Sequence, residues 1–526
     1  MKKYFIGILC SALAIFSACS ESHLDIQNEN TLSTGVFWQT EDDIESGLIA
    51  VYSMFYRQGT WTRNIYSQMQ GMADDGVSYA GWTELNEWTR FLYTNYNFSE
   101  VNAKMWREHY TTIYRANQVL AHVDEVPFAD EAHRNDLKAQ ALWLRSFYYF
   151  YMTALWDNMP LLTAVSSAAD QPATSSPEQV FTQLETDLLD CINWLPETRD
   201  AENTGRPTKG AAYALLAKVY AQGHKWSEAK GCLEWLIKGD GAKYYDLVAD
   251  YGDNFNNKTE NNKESIYEIH FSLTHYVGFD QTDNYKDPAA QLGTQIEMVQ
   301  SPKGVGWNNV QARAWLIDYY KREKTVTGEN DPRLYYTLWY NGVESDFPDR
   351  DHTIYGRSWS ENNAKYTWDN THVWIKKYCV DPQTVTNLYY WNDNNFRVLR
   401  LGDMLLLYAE VLNELDGPTA DAKAALNRVR NRAGLPNIEN STYYTGATAD
   451  KDSFREQIKI ERALELALEC VRWIDLKRWG FTETELAKIQ KRDADFNNFV
   501  IGKHERLPFP QREVDNNPNL KQNANY

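Results

Sequence analysis

The sequence predicts an all-α protein built from pairs of helices. Between residues 397 and 480, apolar residues recur at spacings of three and four, which is typical of one face of an amphipathic helix. The face of the first of these helices consists of Leu401, Leu405, Tyr408, Leu412 and Leu415. Gly417 and Pro418 interrupt the pattern, and a second helix is predicted from Ala420 to Arg432. Because each apolar face needs a partner, we expect the two helices to form a hairpin.

An earlier segment repeats this design. It has apolar faces over residues 212–220 and 229–237, separated by a turn at His224 and Lys225. If one inserted residue is allowed, small residues match in the two pairs: Ala217 and Ala229 in the earlier pair, and Ala409 and Ala422 in the later one. Since small residues let neighbouring helices approach closely, the repeated pairs indicate a tetratricopeptide-like scaffold.

The first residues of the chain indicate export. Lys2 and Lys3 precede an apolar run over residues 4–16, which suits the core of a signal peptide and is too short to span a bilayer. Small residues then precede Cys19, as at the processing site of a bacterial lipoprotein. We therefore expect residues 1–18 to be a signal peptide and Cys19 to be the lipidated first residue of the mature chain. The alternative is an ordinary signal peptide beside an incidental cysteine.

The composition disfavours a nucleic-acid-binding protein and a protein stabilised by zinc or by many disulfides. The 526 residues carry a net charge of -19, so nucleic acid is not an expected partner, because phosphate contacts require clustered Lys and Arg. The cysteines beyond the leader lack CxxC spacing and indicate neither a zinc site nor a dense disulfide framework. They are Cys191, Cys232, Cys379 and Cys470. We expect no cofactor and no metal, although the sequence leaves a structural Ca²⁺ open.

Helices are also predicted in the N-terminal part of the scaffold from apolar periodicity and capping residues. A helix start at residues 40–43 precedes a buried stripe, and further helices are predicted over residues 103–123 and 139–156. The second of these is aromatic around most of its circumference, which predicts burial on several sides. Residues 176–179, Ser-Pro-Glu-Gln, combine an N-cap serine, a first-turn proline and a capping-box glutamine, and so predict the start of the next helix.

Residues 239–395 mostly lack helical periodicity. Asn and Gly are frequent, and the region contains only a short predicted helix over 312–320 and a short strand over 334–340. Because the region is rich in aromatic residues, we expect it to pack on the scaffold and to carry function rather than to be disordered.

The chain ends with one more helix and a tail. The helix is predicted to begin with a capping box at Ser453 and Glu456 and to reach Gly480, and residues 507–526, rich in Pro and Asn, are expected to lie extended on the surface. The sequence thus predicts a single body over residues 19–526. Its parts are a helical scaffold at about 36–238 and 396–480, a loop-rich ligand-side region at about 239–395, and a tail at 481–526.

A series of motifs resembles those of the SusD/RagB family, the surface lipoproteins of Bacteroidetes nutrient-uptake systems. The likeness covers nearly all of the chain and depends on the order and spacing of the motifs. They lie at residues 37–42 (FWQTED), 114–120 (YRANQVL), 141–149 (ALWLRSFYY), 206–212 (RPTKGAA), 331–333 (DPR), 426–434 (LNRVRNRAG), 472–480 (RWIDLKRWG) and 507–513 (LPFPQRE). One departure is Cys470, which stands where glycine is common.

This resemblance implies a location and a mechanism. A SusD-like protein is anchored by its lipid to the outer membrane and faces the cell exterior. It forms a lid over a SusC-like, TonB-dependent transporter and holds an oligosaccharide between lid and barrel. The quoted motifs are mostly scaffold in that family, so the residues that contact the ligand must be predicted from their chemistry.

Residues 59–98 offer the residue types that bind sugars. A sugar presents an apolar face and a rim of hydroxyl groups, which require a flat aromatic platform with polar side chains at its edge. The candidate ligand-binding residues are Trp61, Asp74, Asp75, Tyr79, Trp82, Asn86 and Trp88, together with Trp307 further along the chain. Trp82 is the first choice because Gly81 and polar residues flank it. For each aromatic residue the alternative role is packing within a loop.

Three functions compete for this sequence. Oligosaccharide capture is favoured by the aromatic and Asn-rich loops, and RagB-type oligopeptide capture is the alternative within the same uptake architecture. A glycoside hydrolase would need two carboxylates, for which Asp74 and Asp75 are the obvious pair. Because adjacent residues rarely address one bond from opposite sides, the sequence predicts a binding protein and not an enzyme.

Overall fold

The fold was analysed in a computed structural model. It describes residues 37–79, 81–93, 99–167, 169–274, 292–379 and 391–526. The predicted signal peptide and the lipidation site at Cys19 lie outside the described residues.

The first half of the chain contains eight helices in the described part. They are α1 (Glu41–Tyr52), α2 (Asn64–Met72), α3 (Thr83–Thr89), α4 (Glu100–His122), α5 (Glu131–Trp156), α6 (Pro177–Trp194), α7 (Lys209–Gln222) and α8 (Trp226–Ile237). Capping boxes at Thr40 and Ser176 start α1 and α6, and both helix starts confirm the sequence prediction. Nearly every residue from Leu137 to Trp156 is buried, which confirms that α5 is enclosed on several sides.

The loop-rich region contains short elements only. The strands of the described chain, of which β1 and β6 lie outside this region, are β1 (Gly76–Val77), β2 (Ser265–Ile269), β3 (Gln311–Ala312), β4 (Leu338–Tyr340), β5 (Val373–Ile375) and β6 (Phe396–Arg400). They form three two-stranded antiparallel pairs, β1 with β3, β2 with β6 and β4 with β5. Its helices are α9 (Ile296–Gln300), α10 (Trp315–Lys321), α11 (Pro332–Thr337), α12 (Val343–Asp346) and α13 (Trp359–Tyr366).

The strand predicted over residues 334–340 is confirmed only at its end. Residues 332–337 are helical because Pro332 occupies the first turn and the Asp331 carboxylate accepts a hydrogen bond from the Arg333 backbone N–H at 2.9 Å. This local cap outweighs the β-propensity of the tyrosines that follow.

The C-terminal part restores the long helices. They are α14 (Leu401–Asp416), α15 (Ala420–Arg432), α16 (Lys451–Glu465), α17 (Arg472–Trp479), α18 (Glu483–Gln490) and α19 (Gln511–Asn516). Short 3₁₀ segments at Ser53–Tyr56, Asp240–Lys243, Tyr251–Asn254, Ile438–Asn440 and Ala494–Asn498 complete the described elements.

Two details of this part differ from the prediction. The helix predicted from Ser453 to Gly480 is two helices, because Leu468 and Cys470 take left-handed backbone angles, with φ of 63° and 61°. The N-cap of α16 is Asp450, whose side chain accepts from the Ser453 N–H, so the predicted capping box at Ser453 and Glu456 is wrong. The left-handed angle at Cys470 accounts for the glycine that is common at this position in the family, because glycine adopts such an angle without strain.

The tail is more buried than predicted. Leu507, Phe509 and Leu520 are buried, and the Leu507 N–H donates to the carbonyl of Leu155 at 2.7 Å. The Asn523 side chain also donates to the backbone carbonyl of Trp156. The end of the chain therefore closes the core beside α5 and is not simply laid on the surface.

The helices pack against each other largely in sequence order. Each helix from α4 to α8 contacts the next, α8 contacts α14, and α14 contacts both α15 and α16. The small residues predicted at the close approaches, Ala217, Ala229, Ala409 and Ala422, are completely buried. The two predicted helix pairs are thus α7 with α8 and α14 with α15, which confirms the all-α, tetratricopeptide-like scaffold. No helix in the described ranges is long and apolar enough to cross a membrane.

A buried network of ion pairs joins the loop-rich region to these helices. Arg400, at the end of β6, contacts Glu264, Glu465 and Glu469 at 2.8, 2.7 and 2.7 Å. Glu465 also contacts Arg333 of α11 and Arg432 of α15. Burial alone would raise the pKa of Glu465, but the three arginines outweigh it and hold that pKa well below its ordinary value.

Candidate functional site

The stretch that contains most of the candidate residues divides into a buried part and an exposed part. All residues of α2 are buried, as are Asp74 and Asp75 directly after it. The chain then reaches the surface at Tyr79 and Gly81 before α3 begins. The structure therefore separates the candidate residues of this stretch into buried and accessible ones.

Asp74 is a fully buried structural carboxylate. Its oxygens accept from Arg472 at 2.6 Å and from Arg492 at 2.7 Å. Burial would raise the pKa of Asp74, but the two guanidinium groups outweigh it and lower that pKa. The expectation that Asp74 contacts a ligand is corrected, because both of its oxygens are engaged below the surface.

Asp75 is also buried and supports the turn between α16 and α17. Its Oδ2 accepts from the Leu468 N–H at 2.9 Å, and nearby the Gln70 side chain accepts from the Cys470 N–H at 3.2 Å. Burial, with the neighbouring Asp74 charge, raises the pKa of Asp75 to about 7. This placement corrects the expectation for Asp75 and removes the physical basis for a hydrolase that uses this pair, since neither carboxyl faces a space that could hold a substrate.

The raised pKa of Asp75 predicts a pH effect on stability. In the unfolded chain Asp75 releases its proton near pH 4, whereas in the folded chain it keeps the proton up to about pH 7. Between these values the folded state binds the extra proton, so this group makes the protein less stable as the pH rises, by up to about 1.4 kcal/mol per pH unit. Asp75→Asn keeps an oxygen that can accept from the Leu468 N–H but cannot ionise. In this variant the free energy of unfolding, measured in urea from pH 4.5 to 8, should fall less steeply with pH.

A second variant separates charge from hydrogen bonding. Asp75→Ala removes the acceptor and should be less stable than wild type across the range. If Asp75→Asn followed the wild-type pH dependence without change, the assigned titration of Asp75 would be incorrect.

Trp61 and Trp88 are core residues. Trp61 is 1% exposed, and its ring lies 4.8 Å from Tyr151 and 5.4 Å from Phe396. Trp88 is buried against Tyr93, with ring centroids 4.2 Å apart. Because neither indole has a free face, the expectation that Trp61 and Trp88 bind ligand is corrected.

The structure brings Trp82 and Trp307 together at Arg63. The guanidinium carbon of Arg63 lies 4.2 Å from the ring centroid of Trp82 and 4.6 Å from that of Trp307. All three side chains are partly exposed. Burial lowers the pKa of Arg63 to about 10, which still leaves it charged at neutral pH. We refer to Arg63, Trp82 and Trp307 as the Arg63 site.

Helix α9 is the common support of two members of this site. The Gln295 N–H, just before α9, donates to the Thr62 carbonyl at 3.0 Å and so fixes the chain beside Arg63. The Trp307 N–H donates to the Met298 carbonyl at 2.7 Å. The third member, Trp82, precedes α3, which packs against α2.

A left-handed residue helps to orient the Trp307 loop. Asn308 has a φ of 54°, and its side-chain oxygen accepts from the indole N–H of Trp374 at 3.0 Å. Trp374 belongs to a second aromatic core with Trp339, Trp359 and Trp368. The loop is therefore held by a packed cluster, so the Trp307 ring has little freedom to turn away.

Tyr79 and Asn86 form a polar edge on the same stretch. Tyr79 is 49% exposed, and its hydroxyl donates to Asp495 at 3.0 Å and accepts from Arg313 at 2.7 Å. Asn86, one turn into α3, accepts from Arg90 at 3.3 Å. Both remain accessible and stay predictions as ligand contacts.

Arg63 is the member that sequence reasoning missed. It lies in the run Trp61-Thr62-Arg63-Asn64, and an arginine inside an aromatic stretch is a weak signal for stacking. Spacing could not show that its partner rings come from residue 82 and from residue 307.

The Arg63 site can bind by stacking and hydrogen bonding. Indole faces accept the apolar face of a ring, and a guanidinium donates several hydrogen bonds in a fixed plane. Across the described ranges, no group of three or more His, Cys, Asp or Glu residues is arranged to hold a metal ion. Fold and site together define a helical protein with a small, partly exposed aromatic surface.

Comparison with known proteins identifies the family. The family model of the SusD family matches residues 263–526, and a model described as starch-binding, associating with the outer membrane, matches residues 22–221. The chain therefore belongs to the SusD family, which confirms the resemblance seen in its motifs.

Individual relatives cover nearly the whole chain. The SusD-like protein P25 of Formosa agariphila is 26% identical, with 98% of this chain and 97% of the relative aligned. Among solved structures, a SusD superfamily protein of Bacteroides vulgatus has a TM-score of 0.76 at 25% identity, covering 93% of this chain and 100% of its own. A laminarin-binding SusD-like protein has a TM-score of 0.73 at 25% identity, with the same coverage.

Proposed function

We propose that this protein captures oligosaccharides at the cell surface and delivers them to a SusC-like, TonB-dependent transporter. In this proposal Cys19 carries the lipid anchor, the body faces the cell exterior, and the Arg63 site contacts the sugar. The observation that carries the proposal is the convergence of two partly exposed indoles on one guanidinium. The chain itself has no catalytic role in it.

The chemistry of the Arg63 site suits a neutral or weakly polar glycan. Trp82 and Trp307 offer apolar surface for the C–H face of a sugar ring, and Arg63 can donate to hydroxyl oxygens at its edge. The three side chains come from separate segments that are held by α2 and α9. Such support lowers the entropy cost of binding, since the platform does not have to order when the ligand arrives.

The relatives support the same ligand class. One of the matching family models is described as starch-binding, and one of the similar structures is a laminarin-binding protein. Both descriptions concern glucose polymers, so glucans are the first ligands to examine.

Calorimetric titration tests the proposal. The purified chain is titrated with laminarin, starch, plant and host oligosaccharides, and a mixture of peptides. We expect one glycan class to bind. Trp82→Ala should weaken that binding by about 2 kcal/mol, or roughly thirtyfold, with a far smaller effect on the melting temperature than the loss of a fully buried tryptophan, because the ring is partly exposed.

The matched control is Tyr443→Ala. Tyr443 is an exposed aromatic residue outside the Arg63 site, and its loss should leave glycan affinity unchanged. Binding of peptides and of no glycan would contradict the proposal and favour the oligopeptide alternative. Glycan binding that survives Trp82→Ala would place the sugar elsewhere on the protein.

A further inference from the structure

A second cleft lies away from the Arg63 site. It has a volume of about 650 Å³ and is bounded by α10, α16, α17 and α18. This volume falls within the range of small-molecule sites, about 300–1,000 Å³. The cleft shares no lining residue with the Arg63 site, so variants can affect the two places independently.

The cleft is basic although the chain as a whole is acidic. Three acidic side chains line it, Asp318, Glu456 and Glu485, beside twice as many basic ones. The basic side chains are Arg322, Lys459, Arg472, Lys488, Lys491 and Arg492. In a protein with a net charge of -19, this local excess of cations marks a place where an anion would be attracted.

Four of these cations already have partners. Arg472 and Arg492 bind the buried Asp74. Lys459 and Lys488 each contact Glu456 and Glu485, at distances of 2.8 to 3.1 Å. These pairs neutralise the inner part of the cleft.

Arg322 and Lys491 are the two basic side chains of the cleft that are not in these ion pairs. Within the described part of the chain, neither has a carboxylate at ion-pair distance. The guanidinium carbon of Arg322 lies 3.3 Å from the ring centroid of Tyr319, so the ring holds the cation without neutralising it. Lys491 is exposed at the rim.

The aromatic walls of the cleft are fixed by hydrogen bonds. The indole N–H of Trp315 donates to the Asp74 carbonyl at 2.6 Å, and that of Trp479 donates to Glu410 at 2.9 Å. Trp479 remains partly exposed. A ligand therefore meets a preformed space with an apolar wall and two cations that lack counter-ions.

We propose that this cleft binds an anionic saccharide, whose carboxylate or sulfate group is held by Arg322 and Lys491. A planar guanidinium pairs with two oxygens of either group at once, and the ammonium of Lys491 adds a second charge. The saccharide part of this assignment rests on the glycan capture proposed above, whereas the anionic part rests on the cleft alone. The cleft would thus admit acidic glycans, whereas the two indoles of the Arg63 site offer apolar surface that suits neutral ones.

The test compares acidic and neutral sugars of equal length. Tetragalacturonic acid, a sulfated galactotetraose and neutral galactotetraose are titrated into the full chain by calorimetry at low and high salt. One or both acidic sugars should bind, more weakly at high salt, and the neutral sugar should not bind to the cleft. Arg322→Gln should weaken acidic-sugar binding by about tenfold, and Lys491→Gln should weaken it by less.

Matched variants make the outcomes distinct. Arg350→Gln removes an arginine that also stacks on a tyrosine, 4.7 Å from the Tyr335 centroid, outside the cleft, and should change nothing. Trp82→Ala should leave the affinity for acidic sugar unchanged. Its effect on neutral-glycan binding then tests the Arg63 site independently of the cleft. Neutral sugar that binds Trp82→Ala as tightly as the acidic sugars do, full affinity in Arg322→Gln, or tighter binding of tetraglutamate than of either acidic sugar would overturn the proposal.

Discussion

Glu465→Gln is expected to lower the free energy of unfolding by about 3 to 5 kcal/mol, the cost of removing one partner from a buried ion-pair network. Glu465 is completely buried and contacts Arg333, Arg400 and Arg432. The glutamine has the same shape but no charge, so three guanidinium groups lose the anion they share. Urea unfolding monitored by tryptophan fluorescence measures the change.

An exposed ion pair outside the network gives this experiment its control. Lys243 and Asp240 form an ion pair at 2.5 Å in which both side chains are largely exposed. Lys243→Ala should not shift the unfolding midpoint, because solvent already screens that pair. An equally small effect for Glu465→Gln would mean that water reaches the network and that it does not hold the loop-rich region to α14, α15 and α16.

Trp61→Ala is expected to destabilise the protein by about 3 to 5 kcal/mol, as for other buried Trp or Phe residues replaced by Ala. The ring fills space among Phe147, Tyr151 and Phe396, so its removal leaves a cavity between α5 and β6. Thermal and urea unfolding of the variant measure the loss. Its affinity for glycan, measured well below its melting temperature, should equal that of wild type.

Trp82→Ala is the natural comparison for Trp61→Ala. Both tryptophans were candidates for the same sugar platform, yet one is core and the other is partly exposed beside Arg63. Trp61→Ala should therefore mainly lower the free energy of unfolding, whereas Trp82→Ala should mainly lower the affinity for glycan. A loss of affinity in Trp61→Ala without a loss of stability would contradict the placement of Trp61 in the core.

The structure gives a structural role to the two carboxylates of the hydrolase hypothesis, which the sequence already disfavoured. Asp74 and Asp75 are adjacent acids in an aromatic, glycine-containing stretch, as a catalytic loop could be. Their partners, Arg472, Arg492 and the Leu468 N–H, lie about four hundred residues away in sequence. They fix the turn after α16, where two residues other than glycine take left-handed angles.

The sequence by itself determined the scaffold. The three-and-four spacing of Leu401 to Leu415 and the breakers after it predicted the hairpin of α14 and α15, and the small residues Ala217 and Ala409 predicted the close packing. Caps at Thr40 and Ser176 predicted two helix starts. These features are readable because helical period and capping depend on residues within one or two turns of each other.

The tertiary structure alone decided which aromatic residues can meet a ligand. The flanking residues favoured Trp82 in the sequence, but only the structure shows that Trp61 and Trp88 are buried while Trp82 is partly exposed. Trp82 and Trp307 meet at Arg63 because α2 and α9 hold distant segments side by side. The physical reason is that exposure depends on contacts between distant parts of the chain, about which local residue patterns carry no information.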